Sequence, residues 1–140
     1  MTETFDPADF NKALIEEFRA NGGKTAGPFA QADLLLLTTT GARTGRRHTT
    51  PLVYLPRADG PVIFASKAGA PDNPAWYHNL VANPVVTVEV GADTYEADAV
   101  IVDGPERDAL FAAQVERNPG FADYQAKTTR VIPVIALRRR

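Results

Sequence analysis

The chain has 140 residues, carries 17 acidic against 15 basic side chains for a net charge of −2, and contains no cysteine. That length suits one domain, residues 1–140, with one core and one ligand cleft, and the near-neutral balance argues against nucleic acid as the main partner, because phosphate-backbone binding wants a basic excess. The missing thiols exclude disulfides, thiolate catalysis and cysteine-ligated metals.

The first ten residues lack a basic segment followed by an apolar one, so no signal peptide is expected. No apolar run approaches the roughly 20 residues that cross a bilayer. The expectation is a cytoplasmic protein. Asp6-Pro7-Ala8-Asp9 reads as a helix start, with Asp6 as cap and Pro7 in the first turn. Phe10, Leu14 and Phe18 recur at spacing four beside Ile15, and Gly22-Gly23 ends the helix, which is expected over 7–21. Its apolar face suits docking on the chain's own core; a mobile lid or a membrane-facing helix is the alternative.

Residues 33–40 and 47–56 read as strands joined by a turn with three arginines. Asp59-Gly60 is a hairpin signal leading to a third strand, 62–66. A loop over 67–72 follows, then a short helix opened by Asn73-Pro74 and stopped by Asn83-Pro84. Val86, Val88 and Val90 alternate on a strand over 85–90, and a second strand covers 94–102. A helix runs from Asp103 through Val115, Asn118-Pro119-Gly120 breaks it, and residues 121–127 add one or two turns before a last strand over 130–137. About six strands at hairpin distance imply a mainly antiparallel α+β protein, a small barrel rather than a doubly wound sheet. No Gly-x-Gly-x-x-Gly turn and no P-loop occurs.

Arg43, Arg46, Arg47 and His48 fall within six residues, between Gly41 and Gly45 and the second strand. The planar arginine fork matches phosphate oxygens, and glycine lets backbone amides approach an anion. The same turn also reads as a solvated hairpin tip. Ser66-Lys67 followed by Ala68-Gly69-Ala70 allows close backbone approach to a flat ring, or is an exposed turn; a serine–lysine dyad is disfavoured because neighbours on a strand point apart. Trp76 and Tyr77 suit either an aromatic pocket or the core. His48 and His78, the only histidines, lack metal-ligand spacing, so no metal is expected. Asp103, Glu106 and Asp108 read as helix-start charges.

Four strings in order, Leu36-Leu37-Thr38-Thr39-Thr40-Gly41-Ala42-Arg43-Thr44-Gly45-Arg46-Arg47, then Thr50-Pro51-Leu52, then Ala65-Ser66-Lys67 with Gly69-Ala70, then Asn73-Pro74 with Trp76-Tyr77 and Asn79-Leu80 through Asn83-Pro84, carry a family resemblance. The chain resembles the deazaflavin-dependent nitroreductase family of actinobacteria from about Phe10 to Leu137. The resemblance implies a split β-barrel of the FMN-binding, pyridoxamine-phosphate-oxidase-like type, and coenzyme F420 as cofactor. It implies that the turn from Gly41 to His48, with Arg43, Thr44, Gly45, Arg46, Arg47 and His48, binds the cofactor's phosphate and approaches its oligoglutamate tail, Arg43 and Arg47 above all. Lys24 meets the same tail. Thr50, Pro51 and Leu52 lie along the deazaflavin ring; Ala65, Ser66, Lys67 and Gly69 close over its edge; Asn73, Pro74, Trp76 and Tyr77 complete the wall.

By the same resemblance the activity is hydride transfer from reduced F420 to an electron-poor conjugated acceptor: a quinone, an activated enone or lactone of coumarin type, or a nitroaromatic. Ser66 or Tyr124 supplies the following proton, or solvent does. An FMN-dependent split-barrel reductase and a non-catalytic deazaflavin carrier are the alternatives. Val53, Asn118 and Phe121 stand where the nitroimidazole-reducing member has tyrosines, leaving Tyr124, and His48 stands where many members have arginine. A homodimer and contact with a membrane surface are further expectations of this class.

Overall fold

The structure, a computed structural model, describes residues 7–25 and 33–140, with side chains from residue 11 onward. The expected Asp6 cap and the side chain of Phe10 lie outside the described residues. In chain order come α1 (Pro7–Ala20), β1 (Leu34–Thr40), β2 (Arg47–Val53), β3 (Val62–Phe64), a single helical turn (Lys67–Gly69), α2 (Ala75–Ala82), β4 (Val85–Val90), β5 (Asp93–Val102), α3 (Gly104–Arg117), α4 (Gly120–Ala126) and β6 (Val134–Arg139).

The six strands form one antiparallel sheet in the order β2-β1-β4-β5-β6-β3. Its two edge strands meet again. Leu55, just beyond β2, exchanges both backbone hydrogen bonds with Val62 of β3, at 2.8 and 2.9 Å. That single bridge curls the sheet into a split β-barrel, the fold implied by the resemblance.

The apolar pattern explains the layers. Leu35 and Leu37 point into the barrel beside Val86, Val88, Ile63, Ile135 and Leu137. Leu34 and Leu36, on the opposite face of β1, are covered by Leu14 and Phe18 of α1. A strand buried on both faces needs four consecutive leucines, where a half-buried one needs alternation. A second core gathers Leu55, Val62, Phe64, Phe111, Phe121, Ile132 and Val134 beneath α3 and α4.

Several boundaries differ from the sequence reading. The strand expected over 62–66 ends at Phe64, because Ser66 already turns helical at φ −75°, ψ −39°. The last strand begins at Val134 rather than Arg130, since the segment before it is held by side chains instead of a ladder. The Asp59-Gly60 hairpin is correspondingly slight. Past the Leu55–Val62 bridge, β3 takes β6 as its neighbour.

Candidate functional site

The β1–β2 turn is built by short-range bonds. Gly41 N donates to the carbonyl of Arg46 at 2.7 Å, and Gly45 N donates to that of Gly41 at 3.0 Å. Gly45 sits at φ +71°, where a side chain is strained, and a Cβ on Gly41 would stand 2.9 Å from Thr44 Oγ1. Helix α2 then fixes the turn to the barrel. Ala42 N donates to Asn79 Oδ1 at 3.1 Å, Asn79 Nδ2 donates to Thr39 Oγ1 at 3.2 Å, and Asn83 Nδ2 donates to the Thr40 carbonyl at 3.2 Å.

Beside this turn opens a cleft of about 910 Å³. Arg43, Thr44, His48 and Thr50 form one wall, Trp76, His78 and Asn79 of α2 a second, and Asn11, Lys12, Ile15, Glu16 and Arg19 of α1 a third. Arg19 is committed to Glu89 of β4 by a fork-to-fork pair at 2.8 and 2.9 Å. Arg43 and Lys12 have no ion-pair partner among the described residues. Helix α1 therefore does two things: its apolar face docks on β1, and its polar flank borders the cleft.

A second cleft of about 390 Å³ adjoins the first and shares Asn11, Thr50 and Trp76 with it. Its lining is mostly apolar, with Leu14, Leu34, Pro51, Leu52, Val53, Phe64, Pro74 and Phe121, and Ser66, Lys67 and Tyr124 add polar groups to the shared Asn11 and Thr50. The Lys67–Gly69 turn at its rim is unusual. Lys67 and Ala68 adopt left-handed backbone, φ +46° and +53°, followed by Gly69 at φ +82°. Such conformations cost about 1–3 kcal/mol each for a residue with a side chain and persist only where surroundings impose them. The Lys67 ammonium reaches Asp72 at 3.2 Å and holds that exposed carboxyl below the usual carboxylate range.

Of the residues singled out from sequence, Arg43, Thr44, His48, Thr50 and Trp76 line the larger cleft, and Thr50, Pro51, Leu52, Ser66, Lys67, Pro74, Trp76 and Tyr124 the smaller. Lys24, Gly45, Arg46, Ala65, Gly69, Asn73 and Tyr77 line neither. Arg47 also lies outside both; its guanidinium donates to Thr87 Oγ1 at 2.5 Å and Thr40 Oγ1 at 3.3 Å on neighbouring strands. Lys12, Asn79 and His78 are wall residues that sequence reasoning did not single out as binding groups. Asn79 was within reach, because it stands inside the Asn73–Pro84 string; Lys12 carries no local signal.

The donor set fits a ligand with an anionic end and a flat end. The cations Arg43 of the turn and Lys12 of α1, unpaired among the described residues, suit phosphate or carboxylate oxygens. The smaller, mostly apolar compartment, with a few hydroxyl and amine groups in its lining, suits a planar conjugated ring.

The sequence profile described as F420H(2)-dependent quinone reductase matches residues 11–139. An F420H(2)-dependent quinone reductase of Mycobacterium tuberculosis is 43% identical over 109 residues, which span 76% of this chain and 73% of that protein. Among solved structures, an F420-H2 dependent reductase, FDR-A, superposes with a TM-score of 0.70 at 37% identity, over 76% of this chain and 94% of its own. A second, described as a domain-swapped dimer, gives a TM-score of 0.72 at 34% identity and covers 95% of this chain and all of its own.

Proposed function

The chain belongs to the F420H(2)-dependent quinone reductase family, and from that premise we propose that its two joined clefts hold reduced coenzyme F420 together with a quinone-like acceptor. The observation that carries this reading is the continuity of a polar, cation-bearing compartment with a smaller apolar one through Asn11, Thr50 and Trp76. The protein is an F420-dependent oxidoreductase; the assignment of residues to roles is the proposal.

When bound, reduced F420 supplies a hydride. The chain supplies everything that makes the transfer selective. Arg43, Lys12 and His48 hold the anionic part. Thr50, Pro51 and Leu52 on β2, facing Trp76 and Pro74, orient the flat part. The apolar lining of Val53, Phe64 and Phe121 excludes water and receives a conjugated acceptor, and alignment of the two partners is the chief source of rate. The hydroxyls of Ser66 and Tyr124 stand on the acceptor side as proton donors. Val53 and Phe121 supply no hydroxyl there, which favours quinones and other apolar acceptors over nitroimidazoles.

Among the described residues no helix is long and apolar enough to cross a membrane. A cytoplasmic location and a homodimer belong to this proposal; for the dimer, the similar domain-swapped structure is the support.

The test is a fluorescence titration of the protein with F420 and, in parallel, FMN, followed by reduction of a quinone by reduced F420 under single-turnover conditions. Preference for F420 and quinone-dependent oxidation is expected. Preference for FMN favours the flavin-dependent reading, and tight F420 binding without turnover favours a carrier.

A further inference from the structure

Arg130 reaches across most of the loop between β3 and α2. Its Nε donates to the carbonyl of Ala70 at 3.0 Å, Nη1 donates to the carbonyl of Ala65 at 3.1 Å and to Asn73 Oδ1 at 2.7 Å, and Nη2 donates to the carbonyl of Ser66 at 2.9 Å. Four bonds from a half-buried guanidinium span residues 65–73. Its positive charge has no carboxylate at ion-pair distance among the described residues; the carbonyl oxygens take that place. Arg130 is itself held from behind. Gln125 of α4 donates through Nε2 to the Arg130 carbonyl at 2.8 Å, and Gln125 Oε1 accepts from Ile132 N at 3.1 Å and from Arg107 Nη2 at 3.0 Å.

This network explains the strained turn. Lys67 and Ala68 take left-handed backbone, which costs energy that their own contacts do not return. The carbonyls on either side of them, Ser66 and Ala70, are the ones the guanidinium grips. A fork of rigid, divergent donors fixes the directions of several acceptors at once, and a lysine ammonium cannot. Gly69 seats the turn from the other side, since a Cβ there would stand 2.7 Å from the Tyr124 carbonyl. Tyr124 and Gln125 are adjacent on α4, so one short helix carries both a wall of the smaller cleft and the support of the opposite wall.

We propose that Arg130 is a positioning residue for the smaller cleft: through the carbonyls of Ala65, Ser66 and Ala70 and the Asn73 amide it holds Ser66 and Lys67 at the cleft wall. This rests on the proposed function only in what the cleft binds; the clamp itself is a property of the ligand-free chain.

The experiment compares wild type with Arg130→Ala and Arg130→Lys by hydrogen exchange of the ligand-free proteins and by F420 titration, with and without added guanidinium. In Arg130→Ala the amides of Gly69 and Ala70, which donate to the carbonyls of Ser66 and Lys67, exchange at least about tenfold faster while those of β1 and β4 are unchanged. F420 binds about tenfold more weakly, and guanidinium restores both. Arg130→Lys behaves like the alanine variant, because charge without the fork does not suffice. Unchanged loop exchange in a folded variant overturns the proposal. So does a uniform acceleration across the sheet, which makes Arg130 a general stability residue, or a lysine variant equal to wild type. Should wild type itself fail to bind F420, the functional reading falls, and the exchange data still decide the role of Arg130. If Arg130→Ala does not fold, Arg130→Lys provides the same comparison.

Discussion

Asn79 Oδ1 accepts a hydrogen bond from the Ala42 amide at 3.1 Å, and through it helix α2 holds the tip of the arginine turn. The same side chain donates to Thr39 Oγ1 at 3.2 Å. One asparagine therefore sets the distance between the turn, which carries Arg43, and the helix, which carries Trp76. Replacing it with leucine leaves the Ala42 amide without that partner. We expect Asn79→Leu to weaken F420 binding by about 1–2 kcal/mol with a modest loss of thermal stability, read by fluorescence titration and by a melting curve.

The arginines of the turn are not equivalent. Arg43 lines the larger cleft, whereas Arg47 is engaged with Thr40 and Thr87. Arg43→Ala is expected to cost about 1.5–3 kcal/mol of cofactor affinity, the range for hydrogen bonds to charged groups. Arg47→Ala is expected to alter affinity by less than about 0.5 kcal/mol and to lower stability by about 1 kcal/mol. Equal losses of affinity in both titrations would bring Arg47 back into the binding wall.

Gly69 combines a positive φ with a tight seat. At φ +82° a Cβ would lie 2.7 Å from the backbone oxygen of Tyr124 and 2.9 Å from Lys127 Cβ. Gly69→Ala is expected to destabilise by on the order of 1–3 kcal/mol and to weaken F420 binding and raise KM for the quinone together, because the ring of the cofactor and the acceptor both meet the smaller cleft. Steady-state kinetics beside a denaturation curve check both parts.

Tyr54 is half-buried, and burial first, then the nearby Asp33 carboxylate, raises its phenol above the ordinary value of 10.0; Tyr95 is raised by burial as well. A raised phenol keeps its proton longer in the folded than in the unfolded chain. Stability from this source is thus complete below pH 10 and declines as pH rises through the folded-state values. Melting temperature should fall as pH rises above 10, and the fall should be shallower in Tyr54→Phe.

The barrel was largely legible because its pattern is local. Alternation at Val86, Val88 and Val90 and the leucine run of β1 follow directly from which faces are covered. Strand order was not legible. Asp59-Gly60 announces a reversal but does not say that β3 will leave its hairpin partner for β6, a choice made by Ile63 and Ile135 meeting inside the barrel. In the site, glycines and arginines of the turn could be read as an anion cradle, yet the direction of each guanidinium depends on partners 40 residues away, as Arg47 and Thr87 show. Arg130 gave no signal: its four acceptors are mostly backbone carbonyls, which every sequence has.

Trp76 is the only tryptophan of the chain, and it borders both clefts. The molecule thus carries its one indole fluorophore at the junction of its two compartments. A ligand entering from either side changes the surroundings of the same indole, so unlabelled protein reports occupancy of each compartment in turn. Saturating the protein with cofactor and then titrating an acceptor separates the two binding steps in one cuvette.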